Sequence, residues 1–286
     1  MPYPSPAPAP SSSPAPMPAP AKPEATEPSS HEQNCGVMIV GAGPGAPDLM
    51  TIRATRAVEQ AEVLIWTDSL VSPQIAALAP AGCERIRTSS LTLEEVIAVV
   101  VDRARAGLRV VRLHDGDPCL YGAIQEQICR LADEGIGVEV VPGISAYQAT
   151  AAALGRELTI PGLVQTIVLS RTGGRTGVPE TESLAHLAAL RASLCLYLSA
   201  RHVEEVQTEL LRHYPADTPV AIGYRVSWPD QWLTVVPLHA MAAASRQREL
   251  IRTTLYVISP ALAPPEAARS KLYSASHQHL FRGGAL

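Results

Sequence analysis

Short apolar runs alternating with stretches of helical spacing constrain this chain more than any other feature. Val37-Met38-Ile39-Val40, Val63-Leu64-Ile65-Trp66, Val110-Val111-Arg112-Leu113 and Val138-Glu139-Val140-Val141 each have the length of a buried strand. Between them lie Thr51 to Ala61, with Thr51 placed to cap, then Leu93 to Ala106 and Ala123 to Glu134, all with helical patterning. A strand–helix–strand alternation of this kind predicts an α/β unit around a largely parallel sheet.

Pro142-Gly143 interrupts the pattern. A small-residue helix over Ser145 to Leu154 follows, then a linker at Thr159-Ile160-Pro161-Gly162. A second set of elements comes next. Strands are expected at 165–169, 194–198, 220–223, 232–236 and 254–258, and helices at 182–191 and 203–213. The close spacing of the last strands predicts a mixed sheet. The expected organisation is a Pro/Ala/Ser-rich head over 1–35, an α/β domain over 36–142, a second over 143–262 and an extension over 263–286. Two such domains leave a cleft between them, and ligands of open parallel sheets sit at the carboxyl ends of the strands.

Composition closes off several function classes. A net charge of −4 argues against a nucleic-acid partner, and 4% aromatic residues leave little to stack bases on. The five cysteines form no CxxC pair, which fits a reducing, cytoplasmic setting and neither a disulfide framework nor a zinc site. The head from Met1 to Ser30 lacks the apolar content to offset ordering entropy, and is expected to be dispensable. No run is long and apolar enough to span a membrane.

Two loops stand out. Gly41-Ala42-Gly43-Pro44-Gly45-Ala46 follows the first strand and matches a dinucleotide fingerprint in outline. Pro44 and Pro47 carry no amide hydrogen, and they delay the helix to about Thr51, too far along to cradle a pyrophosphate. The glycines are better suited to letting backbone approach a bulky flat ligand. His114-Asp115-Gly116-Asp117-Pro118-Cys119-Leu120-Tyr121-Gly122 leaves another strand's carboxyl end, as a shaped binding surface or as a tight strand-to-helix turn. Its two acids have no histidine or cysteine partner at ligand spacing, so no metal is expected.

Gly41-Ala42-Gly43-Pro44-Gly45, Asp115-Gly116-Asp117-Pro118 and Val141-Pro142-Gly143-Ile144-Ser145-Ala146, taken together, resemble the tetrapyrrole methylases from about Val37 to Phe281. Within that family, Thr67-Asp68-Ser69-Leu70-Val71-Ser72, the stretch Ser170 to Glu180, Tyr224 to Asp230 and the tail Arg269 to Tyr273 with Phe281-Arg282 are similar to the branch acting at C11 of precorrin-4. The resemblance implies two α/β domains flanking a cleft, S-adenosylmethionine (SAM) as methyl donor with S-adenosylhomocysteine as product, a tetrapyrrole substrate and a homodimer. It implies donor contacts at Pro44, Asp115, Gly116, Asp117, Leu120, Ser145, Ala146, Leu198 and Val226. Leu198 stands where relatives often have methionine, and Val226 where others have glycine or alanine. Uroporphyrinogen methylases carry a lysine after the third strand, and Arg87-Thr88-Ser89-Ser90 here contains none.

An activated sulfonium needs an aligned carbon nucleophile and exclusion of water more than a strong base. Asp68 is the candidate for handling a proton or holding a pyrrole N–H, or else caps the turn after the second strand. Arginines suit the carboxylates of such a macrocycle. Arg171 and Arg175 are the first candidates, then Arg53, Arg112, Arg201 and Arg225. The competing readings are the same reaction on the cobalt complex of precorrin-4, a methylase of the same fold acting at another corrin carbon or on a non-tetrapyrrole, a nicotinamide oxidoreductase and a non-catalytic tetrapyrrole-binding protein.

Overall fold

The alternation at the head of the chain builds a five-stranded sheet of β1 (Val37–Gly41), β2 (Val63–Trp66), β3 (Glu84–Arg87), β4 (Val110–His114) and β5 (Val138–Val141). The structure is a computed structural model describing residues 36–173 and 177–264. The strand order is β3-β2-β4-β1-β5 and every pairing is parallel. Val37 lies opposite Val110 on one side and Val138 on the other.

Successive side chains point to opposite faces. On one face Val40, Leu64, Trp66, Val111 and Leu113 pack with helices α1 (Ile52–Glu59) and α2 (Pro73–Ala76). On the other, Val37, Val63, Ile65 and Val110 pack with α3 (Leu93–Arg105) and with Leu131 of α4 (Ile124–Asp133). The helices after β1 and β4 therefore leave on opposite faces. That divergence opens a crevice between the two strand ends, as at the switch point of an open α/β sheet. Thr51 caps α1 by accepting from the Ala54 N–H, and Pro47–Leu49 forms only a short 3₁₀ turn, so the helix starts as late as Pro44 and Pro47 imply.

A second sheet is built from β6 (Ile167–Arg171), β7 (Ser193–Tyr197), β8 (Pro219–Tyr224), β9 (Trp232–Pro237) and β10 (Thr254–Ile258). Its order is β6-β7-β10-β8-β9. Only β6–β7 is parallel and the other three pairings are antiparallel, so the sheet is mixed as expected. One face holds Leu194, Leu196, Ile222 and Tyr256 against α6 (Leu184–Ala189), α7 (Val203–Leu210) and α8 (Met241–Gln247). The other packs Cys195, Ala221, Leu255 and Val257 against α5 (Ala146–Leu154), the helix that follows β5 in the chain. No helix among the described residues is long and apolar enough to cross a membrane.

Candidate active site

The loops after β1, β4 and β5 meet backbone to backbone. Gly43 and Gly116 exchange hydrogen bonds of 3.1 and 2.9 Å. A Cβ on Gly143 would lie 2.1 Å from the Gly116 carbonyl oxygen, and one on Gly41 would lie 2.6 Å from the Gly143 nitrogen. These glycines thus serve the approach of one loop to another, a use the sequence reading did not assign them. Asp117 completes the junction. Its Oδ1 accepts from the Cys119 N–H at 2.8 Å and its Oδ2 from the Gly143 N–H at 2.9 Å, which ties the β4 loop to the β5 loop.

The second sheet supplies the facing wall. Tyr197, at the end of β7, places its hydroxyl 2.8 Å from Ser145 Oγ and accepts from the Tyr147 N–H at 3.1 Å. Burial pushes that phenol up to about 12. The loop after β8 reaches across to the glycine loop. Trp228 Nε1 donates to the Pro44 carbonyl at 3.0 Å, and Ser227 Oγ accepts from the Ala46 N–H at 3.0 Å. The Trp228 ring occupies the space that a side chain at Gly45 would need. Arg225 lies over the Tyr224 and Trp228 rings and pairs with Asp230 at 2.6 Å.

Between these walls is a cavity of about 380 Å³, within the range of small-molecule sites. Pro44, Asp115, Gly116, Asp117, Leu120, Ser145, Ala146, Leu198 and Val226 all line it. Tyr121, Leu198, Arg225 and Thr253 in its wall hold left-handed backbone conformations despite carrying side chains. Such conformations persist only where surrounding contacts over-determine them, and they cluster at ligand sites. Arg225 Nε and Thr253 Oγ1 are buried there without a hydrogen-bond partner among the described residues. Asp115 is open to the cavity but ringed by protein, and loss of bulk water raises its carboxyl above the ordinary carboxylate range.

The arginines divide. Arg201 and Arg225 line the cavity. Arg53 is solvent-exposed on α1 and pairs with Glu139 at 3.1 Å. Arg112 is buried in β4, where its guanidinium reaches only neutral oxygens, those of Ile65, Thr88 and Thr67 at 3.3–3.4 Å, and burial lowers it to about 10. Arg171 closes its own loop by donating to the Thr172 and Gly177 carbonyls. Arg175 lies outside the described residues. Asp68 stays out of the cavity wall, although Leu70 two residues on is part of it. Its carboxylate accepts from the Ser89 N–H at 3.3 Å, and bonding to Ser89 holds it below the usual range. Among the cavity residues that local pattern does not single out are Tyr197, Trp228, Arg252 and Thr253. A tryptophan between serine and proline just past an apolar strand was the available signal for Trp228.

Comparison with known proteins agrees with this geometry. The family model of Tetrapyrrole (Corrin/Porphyrin) Methylases matches residues 36–242. The precorrin-4 C(11)-methyltransferase of Pseudomonas aeruginosa is 43% identical over 248 residues, covering 87% of this chain and 99% of that protein. Among solved structures, a cobalt precorrin-4 methyltransferase superposes with a TM-score of 0.77 at 40% identity, covering 80% of this chain and 96% of that one. Uroporphyrin-III C-methyltransferase from Thermus thermophilus, complexed with S-adenyl homocysteine, superposes with a TM-score of 0.66 at 28% identity, covering 79% of this chain and 98% of that one. With matching loops, matching architecture and a family model that spans most of its length, this chain belongs to the tetrapyrrole (corrin/porphyrin) methylases.

Proposed function

We propose that this chain transfers the methyl group of SAM to C11 of precorrin-4, a step in building the corrin ring of cobalamin. The observation that carries the reading is the 43% identity to a precorrin-4 C(11)-methyltransferase over 99% of that relative's length. The gathering of all nine expected donor contacts around one cavity supports it.

SAM brings its own activation, because the sulfonium makes the methyl electrophilic. The protein has to bind, orient and desolvate. Ser145 and Tyr197 share one hydrogen bond between two hydroxyls, so one hydroxyl proton of the pair is left to donate to a polar ligand. Arg225 Nε and Thr253 Oγ1 offer further uncommitted polar atoms. Leu120, Leu198 and Val226 give apolar contact that excludes water. Asp117 has both carboxylate oxygens engaged within the protein, so its part is to hold the Gly116 and Gly143 loops in place. Arg201, Arg225 and Arg252 are the cavity-lining cations suited to the carboxylates of the macrocycle.

A cobalt-containing ring would meet the same site, a reading favoured by the 40% identical solved structure. The test incubates the protein with methyl-labelled SAM and either precorrin-4 or its cobalt complex, and locates the label by NMR. Label on any carbon other than C11, or no transfer to either ring, would refute the proposal. The resemblance also implies a homodimer, which sedimentation at micromolar concentration tests.

A further inference from the structure

The carboxyl ends of β2, β3 and β4 enclose a buried cation that the protein does not pair. Arg112 is 7% exposed and points to the α3/α4 face of the sheet. Its contacts are all neutral. Nη1 donates to the Ile65 carbonyl at 3.3 Å and to Thr88 Oγ1 at 3.4 Å, and Nη2 donates to Thr67 Oγ1 at 3.4 Å. Nε is buried without a partner among the described residues. No carboxylate among those residues bonds to the guanidinium, and Asp115 acts on it only through space. A charge taken out of water without a counter-ion destabilises a fold, so its retention asks for a compensating role.

Two threonines carry that charge outward. Thr67 and Thr88 directly follow β2 and β3, and their hydroxyl oxygens lie 3.1 Å apart. Both oxygens accept from Arg112, and one hydroxyl donates to the other. The second hydroxyl proton has no acceptor among the described residues. The result is a single O–H donor with a guanidinium behind it, and hydrogen bonds linked in this way polarise one another. One residue further along, Asp68 Oδ1 accepts from the N–H of the exposed Ser89 at 3.3 Å, with the charge of Arg87 nearby. That carboxylate is committed there and does not serve as the counter-ion of Arg112. The loop after β2 then turns, with the Leu70 N–H donating to the Thr67 carbonyl at 3.0 Å. Leu70 lines the donor cavity, whereas Thr67 and Thr88 do not. The hydroxyl pair therefore stands beside the methyl donor's cavity, and an acceptor of the methyl group has to lie beside that cavity too.

We infer that the Thr67–Thr88 hydroxyl pair, backed by Arg112, is a recognition point for one carboxylate of the substrate macrocycle, an inference that rests on the tetrapyrrole reading given above. The uncommitted hydroxyl donates to a carboxylate oxygen, and the guanidinium behind it supplies the opposite charge without forking onto the ligand. No proton changes hands. The contact fixes one edge of the ring against the ends of β2 and β3, and so sets which part of the ring faces the donor.

The test titrates the protein, loaded with S-adenosylhomocysteine, with two probes. One is uroporphyrin, and the other is the same porphyrin with its carboxyls converted to neutral primary amides. The proteins compared are the parent, the double variant Thr67→Val/Thr88→Val, and Arg112→Met. In a single threonine variant the surviving hydroxyl keeps a proton to donate, so both are replaced together. Uroporphyrin affinity should fall about 10–100-fold in the double variant, the range for a hydrogen bond to a charged group, and about tenfold in Arg112→Met. Affinity for the amide probe, and for S-adenosylhomocysteine by calorimetry, should stay within about threefold in both variants. Arg112→Met removes a buried charge that has no counter-ion, so its Tm should match or exceed the parent's, which keeps that variant informative if the double variant fails to fold. Unchanged uroporphyrin affinity in either folded variant would overturn the inference. Equal losses for the acid and the amide would overturn it too, because the three residues would then only shape the wall. A parent that binds neither porphyrin would instead sink the tetrapyrrole reading of the site and carry this inference down with it.

Discussion

His114 makes the fold sensitive to acid. It ends β4 with its imidazole buried, Nε2 without a partner among the described residues and the Arg112 guanidinium nearby. Burial first, and the Arg112 charge second, lower its pKa to about 3, against a weaker opposing hydrogen bond in which Gln127 accepts from the imidazole. The folded value is below the unfolded one, so the unfolded chain takes up the proton first. Stability is intact above about pH 6.5 and is lost as pH falls through that unfolded value. At pH 5 the cost is about 1.4 kcal/mol per unit over one and a half units, or roughly 2 kcal/mol. The figure holds for any folded pKa well below 5. For a unit of this size, that lowers Tm by about 4–8 °C. The assay is thermal unfolding of the parent and His114→Gln at pH 8 and pH 5. Other groups titrate in both proteins, so the informative quantity is the difference between the two drops. The drop should be about 4–8 °C smaller in His114→Gln. Equal drops would show that the imidazole is solvated or paired, and that it is not the source of the acid sensitivity.

Asp117→Ala removes the acceptor that joins two loops and should cost about 1.5–3 kcal/mol of stability, with S-adenosylhomocysteine affinity falling by more than about tenfold. Unchanged calorimetric affinity would separate the junction from the donor site. Gly143→Ala drives a methyl into the Gly116 carbonyl and should cost about 3 kcal/mol or fail to fold, as read by denaturant midpoint. Arg201→Ala should weaken a uroporphyrin-like analogue by about 1.5–3 kcal/mol in titration, with S-adenosylhomocysteine affinity unchanged. Arg171→Ala should affect both ligands equally or neither, because its guanidinium is spent on its own loop.

How much of this was legible depended on whether neighbouring residues or distant ones set each feature. β1, β2 and β4 declare themselves as apolar runs because both sheet faces are covered. β3, Glu-Arg-Ile-Arg at the sheet edge, has no such run, and periodicity gave no sign of it. α8 carries no sequence signal of its own, because Met241 to Gln247 is short and dominated by alanine, with burial supplied by the second sheet and not by its own pattern. The same divide runs through the site. The donor-lining loops follow strand ends and carry local glycine and aspartate signals. An arginine's direction does not show locally. Arg112 alternates with Val111 and Leu113 and so points into the sheet's α3/α4 side, while Arg201 sits in a turn that faces the cavity. Tyr197 shows in the sequence only as part of a strand, because what makes it a site residue is Ser145, fifty-two positions earlier.

The position of α5 bears on how the protein could be taken apart and reassembled. This helix follows β5 in the chain, yet Ala146, Tyr147, Ala151 and Leu154 pack beneath the second sheet, and the Tyr197 hydroxyl fastens its first turn. A chain broken in the Gly155–Gly162 linker would strand α5 on the wrong fragment, with its apolar side bared and the sheet beneath uncovered. A break between Pro142 and Gly143 leaves α5 with its partners. The two pieces would then rejoin by seating Gly143 against Gly41, a contact with no side chain to misfit. Fragment complementation should therefore succeed at that peptide bond and fail a dozen or so residues later, at the stretch that looks most like a linker.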